Sequence, residues 1–173
     1  MSAYLANLLG AASLGVGDRI GEIAETSIGL GGEAASALVL IGMSPRVTIK
    51  LLAERLRLSH PGTVRLVDRL ETAGLVRRES SKDKREVRLA MTRKGQALRE
   101  RLRRARQDAL EDILAALSAH EKAALEPVLA KLVAALATDQ VEAWNNCRLC
   151  DAQTCTAKGC PVAARDRPDA SQS

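Results

Sequence analysis

Four cysteines lie close together near the end of the chain, at Cys147, Cys150, Cys155 and Cys160. They are all the cysteines of this 173-residue sequence, and their spacing is C-x2-C-x4-C-x4-C. Thiolate sulfurs bind soft cations, and four of them can close a tetrahedral site around one ion. The spacing therefore predicts a metal site within residues 145–162, with all four cysteines as ligands.

The metal could be zinc or an iron–sulfur cluster, and zinc is favoured. The spacing equals that of a zinc knuckle, with Cys155 where knuckles carry histidine. Arg148 and Thr156 stand where knuckles place their aromatic residues, so this segment is not expected to bind nucleic acid. Cys160-Pro161 resembles bacterial ferredoxin-type ligation, which favours the cluster. Redox-active thiols or disulfides are the third alternative, and a site of any kind could sense a signal or only order the C-terminus.

A second group of side chains has the chemistry to contact DNA. Its members are Ser59, His60, Pro61, Gly62, Thr63, Arg65 and Arg69, followed by Lys82, Lys84 and Arg85. The first seven fall at and after the start of a predicted helix, whose free N–H groups can meet phosphate and whose side chains can reach base edges. The last three fall in a charged turn that can reach a neighbouring minor groove or the backbone.

The elements that position this group form a winged helix-turn-helix. Two short helical patterns, Ile49–Leu56 and His60–Ala73, are separated by only three residues. Two alternating runs, Leu75–Ser80 and Glu86–Met91, follow and predict a hairpin. A helix, a tight turn, a second helix and a basic-tipped hairpin are typical of this DNA-binding unit.

The ends and faces of these two helices can also be predicted. Thr48 and Ser59 are expected N-caps, and Pro61 is tolerated in the first turn of the second helix. Gly74, which can adopt positive φ, is expected to end that helix. The residues expected to face inward are Val64, Leu66, Val67 and Leu70. The residues expected to face outward are Thr63, Arg65 and Arg69.

This part of the chain resembles the MarR family of transcriptional regulators. The matching pieces are 52–79, LAERLRLSHPGTVRLVDRLETAGLVRRE, and 83–95, DKREVRLAMTRKG. Asp83 and Arg85 occupy the family's Asp-x-Arg wing, and Thr92 and Gly95 its Thr-x-x-Gly helix start. The likeness is specific for roughly fifty residues. It extends more loosely over residues 1–144 and does not cover the last thirty.

The resemblance implies a mainly α fold with a small β-hairpin wing and a helical dimerisation region. It implies a homodimeric transcriptional regulator, here expected to be a repressor, that binds double-stranded DNA at a pseudo-palindromic operator. Such proteins often bind a small-molecule effector between the DNA-binding lobe and the dimer helices. Because Tyr4 and Trp144 are the only aromatic residues, a phenol-stacking pocket fits this chain less well. A metal or redox effector is the other expectation.

The chain divides into three predicted regions. Residues 1–144 are the MarR-like domain, with the winged helix-turn-helix at about 46–92 and dimerisation helices at about 3–26 and 93–144. Residues 145–162 are the four-cysteine segment, and residues 163–173 have the composition of a disordered tail.

Three helix boundaries are expected outside the winged unit. Pro45 should end a short apolar helix that begins near Gly31. A long helix should run from its cap at Thr92 to about Leu117. Ser118 and Glu121 then form a capping box for the last apolar helix, which is expected to end at Trp144.

Charge is distributed unevenly along the chain. Residues 46–106 hold 19 of the 26 basic side chains but only 7 of the 21 acidic ones. A basic block joined to an acidic remainder is typical of a DNA-facing region attached to an assembly region. The alternative is a metal-binding interaction module whose helix-turn-helix contacts protein, but such a module would not need a basic wing tip.

Several classes of protein are not expected. Residues 1–17 carry no charge, yet no basic residue precedes their apolar run, and the run is shorter than a membrane span requires. We therefore expect an amphipathic helix, no membrane partner and a cytoplasmic location. No nucleophile–base arrangement, paired carboxylates or glycine-rich phosphate loop stands out, so an enzyme is not expected.

Overall fold

The computed structural model describes residues 2–44, 47–80, 87–151, 154–155 and 159–162. In chain order these residues form α1 (Ala3–Ile28), α2 (Gly32–Met43), α3 (Ile49–Leu56), α4 (His60–Thr72), β1 (Val76–Ser80), β2 (Val87–Met91), α5 (Arg93–Leu114), α6 (Ala119–Leu136) and α7 (Gln140–Asn146). The described residues are mostly helical, with one two-stranded antiparallel sheet among them, which confirms the predicted fold class. Some expectations lie outside the described residues. They concern Pro45, Lys82, Asp83, Lys84, Arg85, Glu86, Thr156 and the tail from 163 onward.

The helix-turn-helix begins each of its helices as predicted. Thr48 Oγ1 accepts the N–H of Leu51 at 3.2 Å, and Ser59 Oγ accepts the N–H of Gly62 at 3.2 Å. Between the helices Arg57 adopts the left-handed region, with φ 54°. A side chain in that region costs free energy, so the tight turn carries some backbone strain.

The hairpin is attached to both sides of the helix-turn-helix. Gly74, at φ 70°, ends the turn after α4 and leads into β1. The two strands pair from Val76 opposite Met91 to Ser80 opposite Val87. The N–H of Leu89 also donates to the carbonyl of Val47 at 2.8 Å, which ties β2 to the segment before α3.

Helix α2 lies at the centre of the core. Its residues from Ala34 to Ile41 are all buried, and it contacts α1, α3, α4, α5 and β2. A helix that is apolar all round belongs inside a protein. Around it pack the large buried side chains of the winged unit, namely Leu52, Leu66, Val67, Leu70, Val76 and Leu89.

The long helix α5 is joined closely to the hairpin at its start. Thr92 Oγ1 accepts the N–H of Gly95 at 3.0 Å and donates to the carbonyl of Gly74 at 2.7 Å. A Cβ at Gly95 would lie 2.0 Å from the carbonyl oxygen of Leu75, so only glycine permits this approach.

Helix α5 ends at Leu114, slightly before the predicted Leu117. The capping box explains the difference, because Ser118 is extended and the chain must leave the helix before reaching it. The box itself is confirmed. Ser118 Oγ accepts the N–H of Glu121 at 3.3 Å, and Glu121 Oε2 accepts the N–H of Ser118 at 2.8 Å.

The expectation that Trp144 ends the last apolar helix is wrong. Helix α6 ends at Leu136, and Trp144 lies in the separate short helix α7. Asp139 starts α7, since its Oδ1 accepts the N–H of Glu142 at 2.8 Å. Glu142 in turn accepts the N–H of Thr138 at 2.9 Å, so polar caps interrupt the helical path between α6 and α7.

Helices α1 and α6 leave many large apolar side chains uncovered within one chain, and α5 adds only Ile113 and Leu114 near its end. On α1 and α6 the exposed large residues are Tyr4, Leu5, Leu8, Leu9, Leu14, Val128, Leu129 and Leu136. No residue of α6 is buried. Among the described residues, no single helix is long and apolar enough to cross a membrane. Only α1 and α2 taken together meet these two criteria, and the pair is bent by 81°.

Candidate DNA-binding face and four-cysteine segment

The N-terminal half of α4 presents most of the predicted DNA-contacting residues at the surface. Ser59, His60, Pro61 and Arg65 are exposed, and Gly62 is half-buried. Leu66, Val67 and Leu70 are buried on the opposite side, as expected. The apolar side of α4 is therefore packed in the core, while its first turn and Arg65 remain accessible.

Thr63 does not face outward, and that expectation is wrong. Its side chain is 0% exposed, and its Oγ1 donates to the carbonyl of Ser59 at 3.0 Å. Thr63 lies three residues before Leu66 and four before Val67, so it belongs to the same helical face as the core residues. The hydroxyl is satisfied within its own helix, which removes the cost of burying it.

The two arginines of α4 differ in their surroundings. Arg65 is exposed and projects from the middle of the helix. Arg69, one turn later, is also exposed, but its Nη1 donates to the carbonyl of Leu30 at 3.3 Å. Arg69 is therefore partly engaged by the loop between α1 and α2, whereas the Arg65 side chain projects into solvent.

Ion pairs that no sequence pattern predicted hold the hairpin on α4. Arg78 of β1 contacts Asp68 at 2.6 Å and also pairs with Glu71. The N–H of Arg78 donates to Glu71 Oε1 at 3.1 Å, so the contact fixes backbone as well as side chain. The hydrogen bond with Asp68 is the largest cause of the raised pKa of Arg78. Nothing in the local sequence pattern distinguishes these charges from solvated ones.

Three of the four cysteines are linked by their thiols. The Sγ atoms of Cys150 and Cys155 lie 3.4 Å apart, and Cys147 forms a hydrogen bond with Cys150. Sulfurs bound to one tetrahedral zinc at about 2.3 Å would be roughly 3.8 Å apart. Cys160 packs, like Cys147, against the small apolar cluster of Ala137, Ala143 and Val162.

The surroundings of Cys150 and Cys155 raise the pKa of both thiols and so favour their protonated forms. The hydrogen bond with Cys147, and then burial, raise the pKa of Cys150 far above its ordinary value. Burial, and then the hydrogen bond with Cys150, raise the pKa of Cys155 to about 11. A metal that bound here would have to displace these protons. Within the described part of the chain, no group of three or more His, Cys, Asp or Glu is arranged to hold a metal, so the predicted site stays a prediction.

The segment around the cysteines packs on the winged unit, which the sequence analysis did not anticipate. The guanidinium carbon of Arg55, in α3, lies 3.7 Å from the centroid of the Trp144 ring. Arg57 Nη2 lies 3.5 Å from Glu142 Oε1. On the other side Arg103 of α5 pairs with Asp151 at 2.8 Å. The only sequence signal was that Trp144 is the single tryptophan.

A cavity of about 510 Å³ lies between α1, α2, the end of α3, α5 and the cysteine segment. Its lining mixes polar and apolar groups and includes Ile20, Glu33, Leu56, Arg106 and Cys150. No aromatic side chain lines it. One cysteine of the linked group thus faces the space between the winged unit and the long helices.

Comparison with known proteins agrees with this architecture. Residues 28–86 match the model of the MarR family. A MarR family protein from Bacillus stearothermophilus is 30% identical, with TM-score 0.66, over 75% of this chain and 91% of that chain. The C80S mutant of MarR from E. coli is 25% identical, with TM-score 0.64, over 75% and 96% of the two chains.

A further relative shares the fold at lower identity. MepR, a transcription regulator of a Staphylococcus aureus multidrug efflux pump, is 18% identical with TM-score 0.68, over 79% of this chain and 99% of that chain. None of the curated proteins compared matches in sequence. The family match covers α2, α3, α4 and β1, and the likeness to the 30% identical relative extends over 91% of that chain. This chain therefore belongs to the MarR family of transcription regulators.

Proposed function

We propose that the protein is a homodimeric repressor that binds a pseudo-palindromic operator in double-stranded DNA. The observation that carries the proposal is the exposed start of α4, with the exposed Arg65 more than one turn into the helix. Arginine in a major groove can donate two hydrogen bonds to guanine. A mutant of MepR, which has the same fold, is described as bound to an oligodeoxyribonucleotide.

The proposed dimer uses the uncovered apolar faces. Tyr4 and Leu14 of α1 are 71% and 70% exposed in the single chain, and Leu136 of α6 is 67% exposed. Apolar faces of this extent are typical of association surfaces. A two-fold dimer would place two copies of α4 against two half-sites about one helical turn apart.

We also propose that the four cysteines bind zinc or an iron–sulfur cluster and act as the sensor of the repressor. The supporting observation is the linked group of Cys147, Cys150 and Cys155, which places soft donors side by side. Four thiolates can bind either zinc or an iron–sulfur cluster, and the knuckle-like spacing favours zinc. Elemental analysis and an absorption spectrum of anaerobically purified protein separate the two, because only the cluster absorbs visible light.

A selection experiment tests the DNA-binding proposal. The full chain is mixed with fragments of the genome it comes from, and bound fragments are recovered and sequenced. We expect a shared inverted repeat, protected symmetrically in footprinting. Recovery of random fragments, or of none at physiological salt, would contradict the proposal and would favour an interaction module. The doubly substituted Arg65→Ala/Arg69→Ala chain is the matched control, since its core residues are unchanged.

A further inference from the structure

Residues 140–151 contact the winged unit on one side and helices α1, α2 and α5 on the other. On one side Trp144 lies over Arg55 of α3 and packs against the core of the winged unit. On the other side Leu149 packs against a cluster formed by α1, α2 and α5, and Asp151 pairs with Arg103 of α5. We call this segment the bridge.

Two of the four cysteines, Cys147 and Cys150, lie within the bridge itself. The N–H of Cys147 donates to the carbonyl of Ala143 at 3.1 Å and so ends α7. The N–H of Cys150 donates to the carbonyl of Cys147 at 2.8 Å, which closes a tight turn between them. Cys150 is directly flanked by Leu149 and Asp151, the two residues that hold the α5 side. A change in the turn between Cys147 and Cys150 would therefore move the α5 end of the bridge relative to α7.

The α3 end of the bridge is one tight turn away from the DNA-binding helix. Arg55 and Arg57 both contact α7, and Arg57 is the residue with φ 54° in the turn before α4. Helices α3 and α4 pack against each other. A shift of α7 along α3 would therefore be passed on to the position of α4.

We propose that the bridge couples the four-cysteine cluster to the helix-turn-helix, so that zinc bound by the cysteines changes operator affinity through the Trp144–Arg55 contact. Binding replaces thiol protons with the metal, and no redox step is involved. The inference rests on the proposed function, and it names the path by which that sensor acts. Coupling between two sites is reciprocal, so operator DNA must change zinc affinity by the same factor.

The test compares coupling factors in full-length protein. Operator affinity is measured on the selected genomic fragment with zinc and with a zinc chelator, for the native chain, for Arg55→Gln and for Lys50→Gln. Lys50 is an exposed cation on the same helix and serves as the matched control. Because the factor is a ratio within one variant, the lost positive charge cancels. We expect a factor of about fivefold or more in the native chain and in Lys50→Gln, and a factor near one in Arg55→Gln.

Fluorescence supplies a readout that does not need DNA. Trp144 is the only tryptophan, so its emission reports the bridge alone. Zinc titration should change this emission in the native chain and much less in Cys150→Ser. Circular dichroism of each variant checks that it is folded.

The possible outcomes separate the inference from the proposed function. Zinc and operator could both bind while the native coupling factor is near one, or while Arg55→Gln keeps the native factor. Either result would show that the bridge does not transmit the signal, and the proposed DNA-binding function would still stand. If zinc leaves Trp144 emission unchanged and does not bind, both the sensor and the bridge are overturned. If no operator is found, the proposed function itself fails, whatever the fluorescence shows.

Discussion

Arg65 is the residue on which sequence-specific binding should depend most. It is exposed in the middle of α4, without the backbone contact that engages Arg69. If it contacts guanine, Arg65→Ala should cost about 1–3 kcal/mol and relax the preference at particular base pairs. Binding to an operator library measures both effects.

The matched control for this substitution is Arg19→Ala. Arg19 is an exposed arginine of α1 whose partner is Glu22, so its removal changes the net charge equally. An equal loss of affinity for all sequences in Arg65→Ala would make Arg65 a phosphate contact rather than a base contact.

Thr63 should support α4 without touching DNA. Thr63→Val keeps the shape of the side chain and removes the hydroxyl that donates to Ser59. The Ser59 carbonyl still accepts the N–H of Thr63 at 2.9 Å, so the free energy of unfolding should fall by only about 0.5–1.5 kcal/mol. Operator affinity, measured below the melting transition, should stay the same. If a stable Thr63→Val protein lost DNA binding, Thr63 would have to contact DNA, contrary to this prediction.

At the scale of single residues, the spacing of residues along α4 predicted burial better than their polarity did. Thr63, Leu66, Val67 and Leu70 follow the i, i+3, i+4, i+7 spacing, and all four are buried. Helical periodicity thus indicated the right face for Thr63, and its polar type pointed the wrong way. The N-caps at Thr48 and Ser59 were predictable because a cap is a local interaction within a few residues.

At the scale of elements, the joint between the hairpin and α5 depends on one glycine. Gly95→Ala would place a methyl group 2.0 Å from the Leu75 carbonyl, which forces β1 and α5 apart. We expect a loss of about 1–3 kcal/mol in the free energy of unfolding, measured by urea denaturation. Gln96→Ala introduces the same residue at the adjacent exposed position and should change stability by less than about 0.5 kcal/mol. Equal stability of the two variants would refute the close packing of this joint.

Helix α7 marks the limit of prediction at this scale. Asp139 is a recognisable N-cap, so a new helix before Trp144 could have been found from local pattern. The packing of α7 on α3 could not be predicted, because Arg55 and Trp144 are far apart in the chain. No periodicity in the sequence indicates which helix faces contact each other. The ion pairs of Arg78 were hidden for the same reason, since an isolated charge looks alike whether paired or solvated.

At the scale of the whole molecule, association should depend on the apolar face of α6. Leu129 is 44% exposed in the single chain, in a helix without a buried residue. Leu129→Asp would place a charge in the proposed interface, where leaving it unpaired is costly. We expect sedimentation velocity to show a monomer, and affinity for the full operator to fall towards that for a half-site.

The same helix offers the control for this experiment. His120→Asp introduces the same side chain at an exposed position in the first turn, where a negative charge is favourable. That variant should sediment like the native chain. A Leu129→Asp protein that remained dimeric would place the interface elsewhere.

The Arg55–Trp144 contact also sets an order of events during synthesis. Helix α3 leaves the ribosome early, but the residue that covers Arg55 is made roughly 90 residues later. At a synthesis rate of about 5–20 residues per second, Trp144 is added on the order of 10 s after α3 has been made. During that interval the helix-turn-helix can form its local contacts, yet one face of it stays open. The nascent chain therefore passes through a stage in which its DNA-binding unit exists without the segment proposed to control it.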